Sequence, residues 1–327
     1  MSYSKISKLI HDFTSSGNYK VFFSLRTRIV VNLDANYSQE LASFFLPLSL
    51  KSRILFYFLL FIAKFYVAGK RLRAIPSQRD NNSSNIFSEH TVKCIYTGRL
   101  EGDLTPTFLS EYNGQFWVTK IFPESKKQAA FNELLSRDYK HQYSNLLSQS
   151  RIDIPDLIFI GCGKYKCVRS VFRLGSSPIT KDIDLDIIAT YLSNFSKVAL
   201  SGSTTLSEIM VHQIGLPKYI ADEMNAEVLE AEVPLSFQHG DFAPWNVKKC
   251  KDGSLILIDW EEAESLPKYF DQIYFDLRRQ KVEFNFKDVY SHLKALVPTI
   301  SSESSAVREA LIISYLYFFY RKGYILA

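Results

Sequence analysis

His239, Asp241 and Asn246 stand at H-x-D-x4-N spacing in the run Phe237-Gln238-His239-Gly240-Asp241-Phe242-Ala243-Pro244-Trp245-Asn246. Asp259 closes a later apolar run, Leu255-Ile256-Leu257-Ile258, and opens Asp259-Trp260-Glu261. Two carboxylates and an amide in this order suit phosphoryl transfer. That chemistry needs one group to orient or deprotonate an acceptor hydroxyl and divalent ions to neutralise phosphate charge. An Asp and an Asn at the two ends of a short loop serve acceptor and metal respectively, and a second Asp beyond a strand serves the metal from another side. Magnesium takes oxygen ligands and keeps several waters, so a carboxylate, an amide oxygen and nucleotide phosphates complete its shell. A lone H-x-D would be a turn Asp capping local amides. Here the loop and the strand-terminal Asp occur with an upstream lysine, Lys120, flanked by apolar residues in Val118-Thr119-Lys120-Ile121.

The elements that must position these groups follow from periodicity. Val92–Tyr96 and Phe116–Phe122 read as strands, and Asn113-Gly114 is a strong hairpin dipeptide. A helical stripe begins near Ser125 and runs through Phe131, Leu134, Leu135, Tyr139 and Tyr143. Residues 158–160 and 167–172 read as two more strands, and 254–258 as a buried one. Beyond Gly175 the pattern is mostly helical, with helices expected over 185–195, 207–214 and 221–231. The apolar run 310–320 reads as a helix buried in the larger part, with membrane contact as its alternative. A strand-rich part followed by a helix-rich part is an α+β pattern.

The two motifs carry a resemblance. His239-Gly240-Asp241-Phe242-Ala243-Pro244-Trp245-Asn246 with Ile258-Asp259-Trp260-Glu261 is similar to the aminoglycoside phosphotransferase/choline kinase superfamily, and especially to phosphotransferases of bacterial surface-polysaccharide clusters. It spans roughly residues 92–276. The resemblance implies a protein-kinase-like two-lobed fold; it does not reach the first 75 residues, where an extra N-terminal helical segment is expected. The expected divisions are 1–75 for that segment, 76–89 for a linker, 90–175 for the N-lobe and 176–327 for the C-lobe with its catalytic loop. It implies ATP, with GTP as the alternative, and magnesium as cofactors. In the catalytic loop, Asp241 would be the base or hydroxyl-orienting group, and His239 would brace the loop rather than react. Asn246 and Asp259 would hold the metal. Lys120 would reach the nucleotide phosphates and pair with Glu133. Asp271 resembles a family Asp that steadies the loop, and residues 172–175 would form the hinge beside adenine. Glu261 is either a metal neighbour or an acid at a helix N-terminus. The sequence departs from the protein-kinase pattern in one place: Gly98-Arg99-Leu100-Glu101-Gly102-Asp103 is not a G-x-G-x-x-G loop.

Composition bounds the remaining classes. The chain has 327 residues, 46% hydrophobic and 22% charged, with 25 Phe and 19 Tyr, which excludes disorder over most of its length. Four cysteines, at 94, 162, 167 and 250, match neither zinc-site spacing nor a disulfide framework, so reduced thiols in a cytoplasmic protein are expected. The net charge of +5 is uneven: residues 1–75 hold eleven basic groups and three acids, net +8, leaving −3 for the rest. That front segment also carries the apolar run 54–63, bracketed by Lys51, Arg53, Lys70, Arg71 and Arg73. Three readings stand: a helix at an anionic membrane surface, peripheral on the inner face of the cytoplasmic membrane; a helix buried against the rest of the protein; or, third, a membrane span, for which the run is short and interrupted by Lys64. No nucleic-acid-binding signature accompanies the basic charge, so no nucleic-acid partner is expected. Acids and bases nearly balance after Glu261, which disfavours a polycationic antibiotic as acceptor. A hydroxyl of a small molecule or glycan, such as a sugar of surface-polysaccharide synthesis, is the expected acceptor. The alternatives are a catalytically inactive kinase-like binding module and a protein kinase. The chain has no Ala-Pro-Glu after Asp259, which speaks against the latter.

Overall fold

The computed structural model describes residues 18–23, 28–32, 72–73, 87, 89–96, 105–162, 165–173, 177–179, 181–199, 201–210 and 217–325. The apolar run 54–63, most of the 76–88 cluster, the 98–103 stretch and the end of the expected hinge lie outside the described residues. In chain order the strands are β1 (Asn18–Phe23), β2 (Arg28–Asn32), β3 (Leu72–Arg73), β4 (Thr91–Tyr96), β5 (Thr107–Tyr112), β6 (Gln115–Phe122), β7 (Ile152–Asp153), β8 (Leu157–Cys162), β9 (Tyr165–Val171), β10 (Ser177–Pro178), β11 (Gly202–Thr205), β12 (Glu232–Gln238), β13 (Val247–Lys249), β14 (Leu255–Leu257) and β15 (Glu264–Pro267). The longer helices are α1 (Lys127–Gln142), α2 (Asp182–Val198), α3 (Phe270–Arg279), α4 (Phe286–Ile300) and α5 (Ser305–Arg321). They fall into two units, one of residues 1–144, 151–179 and 247–261, the other of 145–150, 180–246 and 262–327. The α+β class read from the sequence is what the elements form.

The first unit is built on an eight-stranded sheet in the order β3-β1-β2-β4-β5-β6-β9-β8, with every neighbouring pair antiparallel. Asn113 (φ 50°) and Gly114 (φ 74°) close the β5–β6 hairpin, both in the left-handed region that a two-residue type I′ turn requires. Three of these strands fall within residues 1–75, where a helical segment is expected. The described residues there are strands, and the apolar run 54–63 on which the helical expectation rests lies outside the described residues. Side chains alternate across a strand, so Lys120 shares a face with Val118 and Phe122. On that face α1 packs through Ala130 against Phe122 and Val168. The buried side of α1 is Ala130, Glu133, Ser136 and Tyr139, while Phe131 and Leu135 of the expected apolar stripe are 48% and 37% exposed. The helix thus turns inward the face that bears Glu133, the carboxylate that meets Lys120, in place of its most apolar one. A second sheet, β10-β13-β14-β7, contains in β14 the buried strand that leads to Asp259.

The second unit holds the three-stranded sheet β11-β12-β15 and the helices α2 to α5. Its core gathers Leu266, Phe270, Ile273, Leu293, Tyr315 and Phe319 among others. Residues 310–319 of α5 are all buried, as a core helix requires. No helix among the described residues is long and apolar enough to cross a membrane. The helix expected over 221–231 is instead two four-residue turns, Lys218–Ala221 and Ala226–Leu229. The Asn225 side chain between them accepts a hydrogen bond from the Val228 N–H (3.0 Å) and starts a new turn. Of the expected 207–214 helix, Leu206–Ile209 is helical behind a Thr205–Glu208 capping box, and residues 211–216 lie outside the described residues.

Candidate active site

In the first unit three sequence-distant residues converge on one ammonium group. Lys120 Nζ, on β6, donates to the carboxylates of Glu133, on α1, and of Asp259, just after β14. Glu133 is only 4% exposed, and it also accepts a hydrogen bond from the Trp260 backbone. Burial works against the lysine's charge, but Asp259, Glu133 and Glu261 outweigh it and hold its pKa well above the ordinary value. Burial raises the pKa of Glu133, and Lys120 only partly offsets this. Glu261 lies in the same field: burial, then the Asp259 charge, pushes its carboxyl up to about 7 in spite of Lys120 and Lys126. The Asp259–Glu261 segment is tied to α1 by Asn132, whose side-chain N–H donates to the Glu261 carbonyl (3.0 Å). Asp259 has φ 73°, an uncommon conformation for a residue other than glycine, found where the surroundings over-determine the backbone.

In the second unit, β12 delivers the H-x-D-x4-N loop and α3 holds it. Asp271, 1% exposed near the start of α3, accepts the backbone N–H groups of His239 (2.7 Å) and Gly240 (2.9 Å), one on each carboxylate oxygen. Burial pushes its carboxyl up to about 7 against the pull of these two bonds and of Lys322. Gln238 closes the arrangement, accepting from the Asp271 N–H (2.8 Å) and donating to the Pro267 carbonyl (2.6 Å). The His239 ring is fully buried, and its Nδ1 accepts from the Asp241 N–H (3.3 Å), which is a bracing contact. Gly240 is required on two counts: its φ is 81°, and a Cβ there would lie 2.1 Å from the Glu262 carbonyl oxygen. The Asn246 amide donates to the Asp241 carbonyl (2.8 Å) and to its carboxylate (2.9 Å). Both of its donor contacts go to Asp241.

Lys120, Glu133 and Asp259 are therefore brought together in one unit, and His239, Asp241 and Asn246 in the other. The sequence reading did not single out Asn132, Gln238, Tyr274, Arg278 or Tyr324. Tyr274 is hydrogen-bonded to Asp241, and burial followed by the Asp241 charge raises its hydroxyl pKa. Tyr324 donates to the Gly240 carbonyl (3.2 Å). A signal for two of them was present: Asp271, Tyr274 and Arg278 recur at three- and four-residue spacing, one face of a helix.

No family model and no curated protein matches this sequence. Among solved structures the chain is similar to several kinases of small molecules. The choline kinase LicA from Streptococcus pneumoniae is 16% identical, with 67% of this chain and 82% of that one covered at a TM-score of 0.40. An aminoglycoside-3'-phosphotransferase of type VIII is 13% identical, covering 71% and 94% at 0.41. A thermostable mutant of the aminoglycoside phosphotransferase APH(4)-Ia, in a ternary complex with ADP and hygromycin B, is 15% identical, covering 72% and 88% at 0.41.

Proposed function

We propose that the protein is a kinase that transfers a phosphoryl group from ATP, with magnesium, to a hydroxyl of a small-molecule or glycan acceptor, a sugar of surface-polysaccharide synthesis above all. The observation that carries this reading is the pair of constellations. A buried carboxylate holds a lysine beside the strand-terminal Asp259, and an asparagine amide holds the loop carboxylate Asp241. Lys120, kept charged by its neighbours, binds nucleotide phosphate oxygens. Asp241 accepts the acceptor's hydroxyl proton or orients its oxygen for in-line attack. Asp259 and Asn246 offer the carboxylate and amide oxygens that a hard cation prefers. Magnesium, when bound, supplies the charge that neutralises the phosphates. The basic front segment would bring the enzyme to an anionic leaflet where lipid-linked glycans are assembled, an attraction that weakens as salt rises.

The test is phosphate transfer from ATP to surface-glycan sugar precursors, read as ADP release. Asp241→Asn should fold normally and lose about 10²–10⁴-fold in rate, the usual worth of a positioned base. Turnover by Asp241→Asn close to that of the unaltered protein would refute the assignment. An inactive binding module would bind Mg·ATP and show no acceptor-dependent ADP release in either protein.

A further inference from the structure

Four aromatic rings of the second unit surround a cation that belongs to the protein itself. The guanidinium carbon of Arg278, in the last turn of α3, lies 3.7 Å from the Phe284 ring centroid, 4.9 Å from Tyr274, 5.3 Å from Trp245 and 5.7 Å from Tyr324. Rings arranged in this way attract a positive charge through their negative faces. An arginine already in place uses up that attraction and repels a second cation.

The same arginine has donors to spare. Nη2 donates to the Tyr274 hydroxyl (2.9 Å), which is itself hydrogen-bonded to Asp241. This is its single hydrogen bond among the described residues, and no carboxylate there pairs with it. Its Nε is buried without a partner. A guanidinium stacked on rings still presents its in-plane N–H edge, which matches the two oxygens of a carboxylate or phosphate. Trp245, 39% exposed, lies between Asp241 and Asn246 in the loop sequence and brings one wall of the ring cluster to solvent.

We propose that Arg278 is a specificity-determining residue that reads an anionic group, carboxylate or phosphate, on the acceptor beside the hydroxyl oriented by Asp241, and that the filled ring cluster turns away cationic acceptors. This rests on the kinase reading for the identity of the acceptor site. The two parts fail separately in experiment.

The test is calorimetric binding of four sugars of similar size to the full chain loaded with Mg·ADP: D-glucuronate, D-glucose 1-phosphate, D-glucose and D-glucosamine. At least one anionic sugar should bind about tenfold or more tighter than glucose, the worth of a charge-assisted hydrogen bond, and glucosamine should bind weakest. Which anion binds tighter separates a carboxylate from a phosphate ligand. Arg278→Met should bring the anions to within about twofold of glucose and place glucosamine above it. Should Arg278→Met fail to fold, Arg278→Lys keeps a cation on the rings and should keep the order with a smaller margin, since the fork is lost. Glucose binding as tightly as both anions, glucosamine binding tightest to the unaltered protein, or an undiminished anion preference in the folded variants would overturn the inference. ADP release without an anion preference strikes this inference alone. The preference without acceptor-dependent ADP release strikes the kinase reading alone.

Discussion

Replacing Lys120 with methionine tests the buried charge cluster of the first unit through stability as well as activity. The side-chain stem is conserved, but Glu133 is left in a site where it is only 4% exposed, with the Asp259 and Glu261 carboxylates as neighbours. A buried carboxylate cannot cost more than the work of protonating it, because it takes up a proton once that is cheaper. That work is about 1.4 kcal/mol for each pH unit above its ordinary pKa near 4.3, so the ceiling is roughly 1 kcal/mol at pH 5, 4 at pH 7 and 5 at pH 8. Breaking a buried pair by removing one partner costs about 3–5 kcal/mol in general, so the ceiling is close to being reached. The pH dependence has a definite sign. Without the lysine, the folded-state pKa of Glu133 moves further above its unfolded value, and the folded state binds the extra proton. Stability relative to the unaltered protein therefore falls as pH rises above the already raised pKa that Glu133 has beside Lys120, by up to about 1.4 kcal/mol per unit, until pH passes the still higher pKa of the variant. Urea midpoints from about pH 5 to pH 8 measure this, and Lys120→Met with Glu133→Gln should recover most of the loss and flatten the slope. A stability deficit that is the same at every pH, or no recovery in the double variant, would refute the reasoning.

Three further outcomes follow from the site. Gly240→Ala should lose about 1–2 kcal/mol from the left-handed backbone alone, and more from the Glu262 carbonyl 2.1 Å from the new Cβ, with transfer falling more than Mg·ATP affinity; a melting curve and separate kcat and KM values check it. Glu261→Gln should remove a titration whose folded-state pKa is raised to about 7, so stability that the unaltered protein loses between about pH 4.5 and pH 7 is kept by the variant, on the order of 1–3 kcal/mol, read from urea midpoints at the two ends of that range. Asp259→Ala should abolish the rise in melting temperature that Mg·ATP produces; a rise equal to that of the unaltered protein would place the metal elsewhere.

The candidate site was legible in the sequence because its residues sit in short, local patterns. His239, Asp241 and Asn246 lie within eight residues, Asp259 ends a run of apolar β-formers, and Asn113-Gly114 admits few backbone shapes other than a hairpin. Periodicity likewise placed β4, β6, β8, β9, α2 and α5, where the pattern is long or strongly apolar. What it missed depended on contacts between distant segments. The apolar stripe of α1 pointed to Phe131 and Leu135, yet these stay exposed and the helix buries the face of Glu133, the partner expected for Lys120. A helix over 221–231 was expected from the residue pattern, and one Asn225 side chain, by capping a backbone amide, starts a new turn inside it. The strands in residues 18–32 became visible only with β4 beside them, since a strand is completed by its neighbour's hydrogen bonds and not by its own residues. Arg278 is the clearest case. In sequence it is one basic residue beside another, and four rings from three segments give its charge a place next to Asp241. Local spacing determined which residues make up the candidate site; the packing of remote side chains decided their charge and their partners, because burial and Coulomb interactions depend on distance in space and not on distance along the chain.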